Sequence, residues 1–240
     1  MRRSSALALA GAFCDRGLIG RGQLAKAALW QLLFVARGAD AEAVRRAAED
    51  GLVVLRGVPP AEVQELVASV LEPVLRPLVY REPLAIVDRH RRRGEPVYIV
   101  SAALQEIVDA IAADLAFDGA LGTICEVSGD VYTGRSLRPL HGEAKADAVR
   151  ELARRADIDL SASTAYSDSV TDLPFLEAVG TAVAVNPDRA LRRIARDLGW
   201  EVLEFSERAY PRARRRVSPA LVGVPVVLGA AAYAFRRRAA

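Results

Sequence analysis

The chain has 240 residues, 52% hydrophobic and 26% charged, a balance that can bury a sizeable core and excludes a disordered chain. Its formal net charge of +3 is unevenly placed, because residues 206–240 hold eight arginines against Glu207 and leave the body net acidic, which argues against a nucleic-acid partner. Two cysteines, Cys14 and Cys125, and two histidines, His90 and His141, are too few for a disulfide framework, a histidine-rich metal centre or a Ser-His-Asp triad, and fit a reducing cytoplasm.

The opening stretch "MRRSSALALAGAFCDRG" imitates a signal peptide. Its apolar run is short, Phe13 is too bulky before a lipoprotein-type cysteine, and no small-residue cleavage site follows, so an apolar cap or core helix is the better account. Residues 4–79 read as almost wholly helical. Leu7, Ala10, Cys14 and Leu18 recur at helical spacing, as do Leu24, Ala28, Gln31 and Val35; a third helix begins near Ala41 and a fourth after the "VPPAEV" start at Val58.

From Pro83 the rhythm changes. The helix "PLAIVDRHRRRG" places His90 at its solvated end, and "PVYIV" (96–100) is rich in β-branched residues, as a buried strand should be. The helix "LQEIVDAIAADL" follows, then two short arms around Gly129 and Asp130 in "ICEVSGDVYTG", a hairpin signal. Next come the helix "GEAKADAVRELARRA", the strand "STAY", the helix "LPFLEAVG", the strand "TAVAV", the turn "NPD", the helix "RALRRIARDLG" and the strand "WEVLEF". Alternation of this kind predicts an α/β fold with a mostly parallel sheet covered on both faces, in which ligands bind at the carboxyl ends of the strands.

That rule selects a few residues. Ser101 follows "VYIV", Asp168 follows "STAY", and Lys145, one of only two lysines beside Lys26, sits in the first turn of its helix. A hydroxyl, helix-start amides and a compact cation suit phosphate, and the carboxylates Asp168 and Asp172 offer the hard oxygen ligands magnesium prefers. Taken singly each has a plainer account: Asp172 before "LPFL" is a good helix cap, Lys145 an exposed helix residue, Ser101 another cap.

Together "VYIVSA", "GEAKADAV" and "YSDSVTDLPFLEAVG", in this order and spacing, resemble motifs II, III and IV of the haloacid dehalogenase superfamily, in its phosphoserine-phosphatase-like branch. The resemblance runs from about Ser4 to Phe205 and implies a Rossmann-like core over 80–205 with a helical cap over 4–79. It also implies a magnesium-dependent phosphomonoester hydrolase working through an aspartyl phosphate. Ser101 would bond the transferring phosphoryl group and Lys145 neutralise its charge; Asp168 would bind Mg2+, and Asp172 would support the metal or orient Lys145. The resemblance departs at one place: the chain begins "MRRSS" where the nucleophile motif DxDxT should have ended. No nucleophile is therefore assigned, the first core strand is expected to be missing, and the chain as written is expected to be inactive. A late-assigned start is favoured over a degenerate enzyme. Without that strand, the strands ending at Ser101 and Asp168 should be separated by a gap of about 9–10 Å. The substrate expected is a small phosphomonoester, with phosphoserine itself in doubt, since the first cap helix has no acid before Asp15.

The tail closes the sequence. Residues 217–235 carry no charge between "RARRR" and "RRR", and at 1.5 Å per residue they span about 28 Å, close to a bilayer's hydrocarbon thickness. The expectation is a membrane contact through residues 217–235, with a spanning anchor favoured over an interfacial one and the body cytoplasmic. The alternative function is a non-catalytic, membrane-tethered protein that binds a phosphate ligand.

Overall fold

In a computed structural model, the chain is described over residues 55–206 and at Gly11, Phe13, Cys14, Gly17, Gly22, Leu52 and Val53. Apart from those isolated positions, the first three predicted helices fall outside these residues, as does the whole segment 217–235. Among the described residues no helix is long and apolar enough to cross a membrane.

Helix α1, Pro60–Val70, starts where the sequence places it, with Pro59 extended at the cap and Pro60 in the first turn, a position where the missing N–H costs nothing. It buries Val63, Leu66, Val67 and Val70. The chain then widens into a π turn over Leu71–Leu75, which contains Pro73, a residue that cannot supply an α-helical donor. Arg76 closes this region with a two-pronged pair to Asp114, at 2.9 Å from Nε and 2.6 Å from Nη2.

Helix α2 (Arg81–Arg92), strand β1 (Tyr98–Leu104) and helix α3 (Gln105–Asp114) follow. Strands β2 (Gly119–Ser128) and β3 (Val131–Arg138) form the expected hairpin, with far longer arms than the sequence suggests. Helix α4 (Glu143–Ala156), β4 (Thr164–Ser167), the short α5 (Leu173–Glu177), β5 (Thr181–Val185), α6 (Arg189–Asp197) and β6 (Glu201–Leu203) complete the order. His90 is not a solvated helix end. Its ring is held between Glu95 at 2.5 Å and the Tyr166 hydroxyl at 2.8 Å, because the chain turns back at Gly94 and the outer face of β4 meets the end of α2. Burial there pushes the Tyr166 phenol above its ordinary pKa.

The strands form two three-stranded sheets, in the orders β1-β2-β3 and β4-β5-β6. Only the β2–β3 pair is antiparallel among the described residues. Among the described residues, one edge of β1 and one edge of β4 have no ladder partner, so the sheet is interrupted between the two strands that carry Ser101 and Asp168. The gap is where the sequence resemblance puts it.

Each sheet has its own core. Around the first, α1 and Ile107 of α3 pack on Leu104, Cys125 and Tyr132. Burial, reinforced by the nearby Glu106 charge, pushes the Cys125 thiol up to about 11. Around the second, Ala165, Ala182 and Ala184 let Val149, Phe175, Leu176 and Leu191 approach the strands closely.

Candidate active site

Strand β1 does not end before Ser101 but runs on to Leu104. Its register against β2 moves from Val100↔Leu121 to Leu104↔Thr123, so Ser101, Ala102 and Ala103 bulge opposite Gly122. The bulge is stabilised by its own polar groups. Ser101 Oγ accepts from the Ala103 N–H at 3.2 Å, and buried Thr123 donates to the Ala102 carbonyl at 2.9 Å. Ser101 is therefore not a helix cap: that position belongs to Leu104, which makes no side-chain cap bond.

Lys145 is the third residue of α4, which starts after Gly142 at φ +56°. It is 6% exposed, so the account of it as a solvated helix residue fails. A buried ammonium needs a partner. Lys145 Nζ donates to Asp172 Oδ1 at 2.6 Å, and the aliphatic stem brings Nζ to 5.8 Å from the Phe175 ring centroid.

Asp172 occupies the residue before α5 without capping it. Both carboxylate oxygens are engaged, Oδ1 by Lys145 and Oδ2 by the Ser167 hydroxyl at 2.7 Å. Asp168 immediately follows β4 and is exposed; among the described residues no hydrogen bond reaches its carboxylate. The structure thus brings Lys145 and Asp172 into direct contact and presents Asp168 to solvent at a strand end, while Ser101 bonds within its own strand.

Two residues of this region escaped the sequence. Ser167 carries no motif of its own, although its place in the hydroxyl-rich "AYSDSVTD" was a weak signal. Asp188, seen only as part of a turn, ties the loop after β4 to the start of α6: Oδ2 accepts from Val170 N and Oδ1 from Leu191 N, each at 2.8 Å, while its own N–H donates to the Asp168 carbonyl at 2.8 Å. Asp188→Ala removes a cap and a loop anchor together and is expected to cost about 1–2 kcal/mol. A urea titration against the wild-type chain reads this directly, with Asp188→Asn falling between the two.

A metal would find few ligands ready-made. Among the described residues no cluster of three or more His, Cys, Asp or Glu side chains could hold an ion. Mg2+, however, is commonly bound by one or two carboxylates and substrate phosphate, with water completing the shell. The donor set at the end of β4 fits that mode, with Asp168 as the available carboxylate.

The comparisons agree with the fold and the motifs. The family model for haloacid dehalogenase-like hydrolases matches residues 1–177, and the chain belongs to that family. Among curated proteins it is 38% identical over 251 residues to an "inhibition of morphological differentiation protein" of Streptomyces azureus, covering 99% of this chain and 90% of that one. It is also 38% identical over 213 residues to a phosphoserine phosphatase of Mycobacterium tuberculosis, covering 88% of this chain and 66% of the relative. Among solved structures, a Bordetella pertussis protein of unknown function superposes with a TM-score of 0.73 at 27% identity, covering 85% of this chain and 92% of that one. A phospho-aspartyl intermediate analogue of phosphoserine phosphatase shares the fold with a TM-score of 0.60 at 15% identity, over 85% of this chain and 88% of that one. Within the family, the chain falls in the phosphoserine-phosphatase-like branch.

Proposed function

We propose that the chain carries the phosphate and metal half of a magnesium-dependent phosphomonoesterase. The observation behind this is the buried Lys145–Asp172 pair at a helix start, with the exposed Asp168 immediately after β4. Among the described residues one of the three ammonium donors of Lys145 is spent, on Asp172, which leaves capacity for an anion. In this proposal Ser101 donates to a phosphoryl oxygen and Lys145 offsets the charge on the phosphoryl group. Asp168 holds Mg2+, which when bound would further neutralise the phosphate. Asp172 holds Lys145 in place.

Hydrolysis through an aspartyl phosphate also needs a carboxylate nucleophile, which attacks phosphorus and expels the alcohol before water cleaves the acyl phosphate. None of Ser101, Lys145, Asp168 or Asp172 is given that role. The proposal places it on a DxDxT strand between β1 and β4, where the ladder is interrupted. The 240 residues alone are then expected not to turn over. The helical segment 4–79 is proposed as the cap over the site, and residues 217–235 as a membrane contact.

The genomic sequence upstream of Met1 is the first check: an in-frame DxDxT supports the enzyme, and a stop codon directly before Met1 favours the membrane-tethered phosphate binder. The second is p-nitrophenyl phosphate hydrolysis by the chain bearing that strand. Mg2+-dependent turnover that falls at least about 100-fold in Asp168→Asn is expected; an inactive, folded, strand-bearing chain sinks the proposal.

A further inference from the structure

We propose that Ser167 is a positioning residue for Lys145 and acts through Asp172. This deepens the phosphatase proposal and rests on it for its catalytic meaning, although the geometry stands by itself. Ser167 is the last residue of β4, 8% exposed, and paired in the ladder with Ala184. Its side chain is therefore fixed by a strand rather than by a loop.

The hydroxyl proton has a defined direction. Ser167 Oγ accepts from the Ser169 N–H at 3.3 Å and lies 2.7 Å from Asp172 Oδ2. An ionised carboxylate can only accept, so the hydroxyl hydrogen points at Asp172. A one-way chain results: the Ser169 amide donates to Ser167, Ser167 to Oδ2, and Lys145 to Oδ1 at 2.6 Å. With Oδ2 occupied, the carboxylate cannot swing its second oxygen onto the ammonium. Lys145 is held by one oxygen in one orientation, and its two remaining donors keep fixed directions. Asp172 is thereby committed to the lysine, leaving Asp168 as the carboxylate for a cation.

The scarcity of lysine makes a direct test possible. Lys145 and Lys26 are the two lysines in the chain, so trace acetylation of the full-length protein with acetic anhydride, read by peptide mass spectrometry, gives a Lys145:Lys26 ratio with an internal reference. Ser167→Ala, which frees Oδ2 to swing onto the ammonium, is expected to lower that ratio about five-fold, the factor one ordinary hydrogen bond corresponds to. Ser167→Thr, which restores the hydroxyl, should return it to the wild-type value. Ser167→Cys fills the same space with a weaker donor and carries the test if the alanine variant does not fold. Asp172→Asn, which removes the charge facing the ammonium, should raise the ratio, and adding Ser167→Ala to it should leave it there, since Ser167 acts only through that carboxylate. An unchanged ratio in Ser167→Ala, or a threonine variant as reactive as the alanine one, overturns the proposal. Failure to hydrolyse p-nitrophenyl phosphate bears only on the proposed enzyme activity, because the labelling ratio is read without substrate.

Discussion

Asp172→Ala is expected to lower stability by about 3–5 kcal/mol, the usual cost of leaving one member of a buried ion pair without its partner. The side chains of Lys145 and Asp172 are 7% and 14% exposed, so water cannot replace the carboxylate without opening the site. For a domain of this size the loss corresponds to a fall of roughly 6–20 °C in melting temperature. Asp172→Asn keeps an oxygen for Lys145 and should cost less. Thermal unfolding followed by circular dichroism separates the two, and a melting temperature within about 2 °C of wild type for the alanine variant would show that the pair is not the anchor described here. Phosphatase activity in the strand-bearing chain should vanish with either substitution, because the charge that compensates the lysine is lost in both.

Gly180→Ala is the second large effect, and its origin is steric. A Cβ at Gly180 would overlap the carbonyl oxygen of Ser161 and stand 2.6 Å from its carbonyl carbon. Backbone cannot yield as a side-chain tip can. The same residue donates to the Leu160 carbonyl at 2.8 Å, and the next, Thr181, donates to Ser163 at 3.0 Å, just where β4 and β5 begin to pair. Moving this backbone would slide the strand that delivers Ser167 and Asp168. A loss of about 4 kcal/mol or more is expected, seen as insoluble expression or a collapse in the urea midpoint. Gly199→Ala is the control: at φ +69° with open space around it, it should cost only about 1–2 kcal/mol of backbone strain.

The core elements were legible because their signals are local. The β-branched run of β1, the Pro59-Pro60 start of α1, the alanine-rich β5 and the arginine-faced α6 each announce themselves within a few residues. The interruption of the sheet was legible through the family motifs rather than through periodicity. What stayed hidden depends on pairing at a distance. Asp172 meets Lys145 across 27 positions and Asp188 reaches back 18 to Val170, and no periodicity encodes such contacts. His90 was misjudged for the same reason, since Tyr166, 76 residues away, supplies its partner. The bulge at Ser101 was missed because a strand's end and a strand's kink read alike when small residues follow.

The interruption between β1 and β4 also bears on how the molecule comes apart. Hydrogen-bond ladders bind strands cooperatively, and among the described residues none crosses this line. What crosses it is softer: Val100 and Leu121 lean on the second core, and the His90–Tyr166 bond closes the outside. Each half carries its own apolar cluster, and opening along this line ahead of global unfolding is the expected result of native-state hydrogen exchange. Along that seam the amides of β1 and β4 are expected to exchange early with water, and whatever zips the seam shut would couple the two halves in a single folding event.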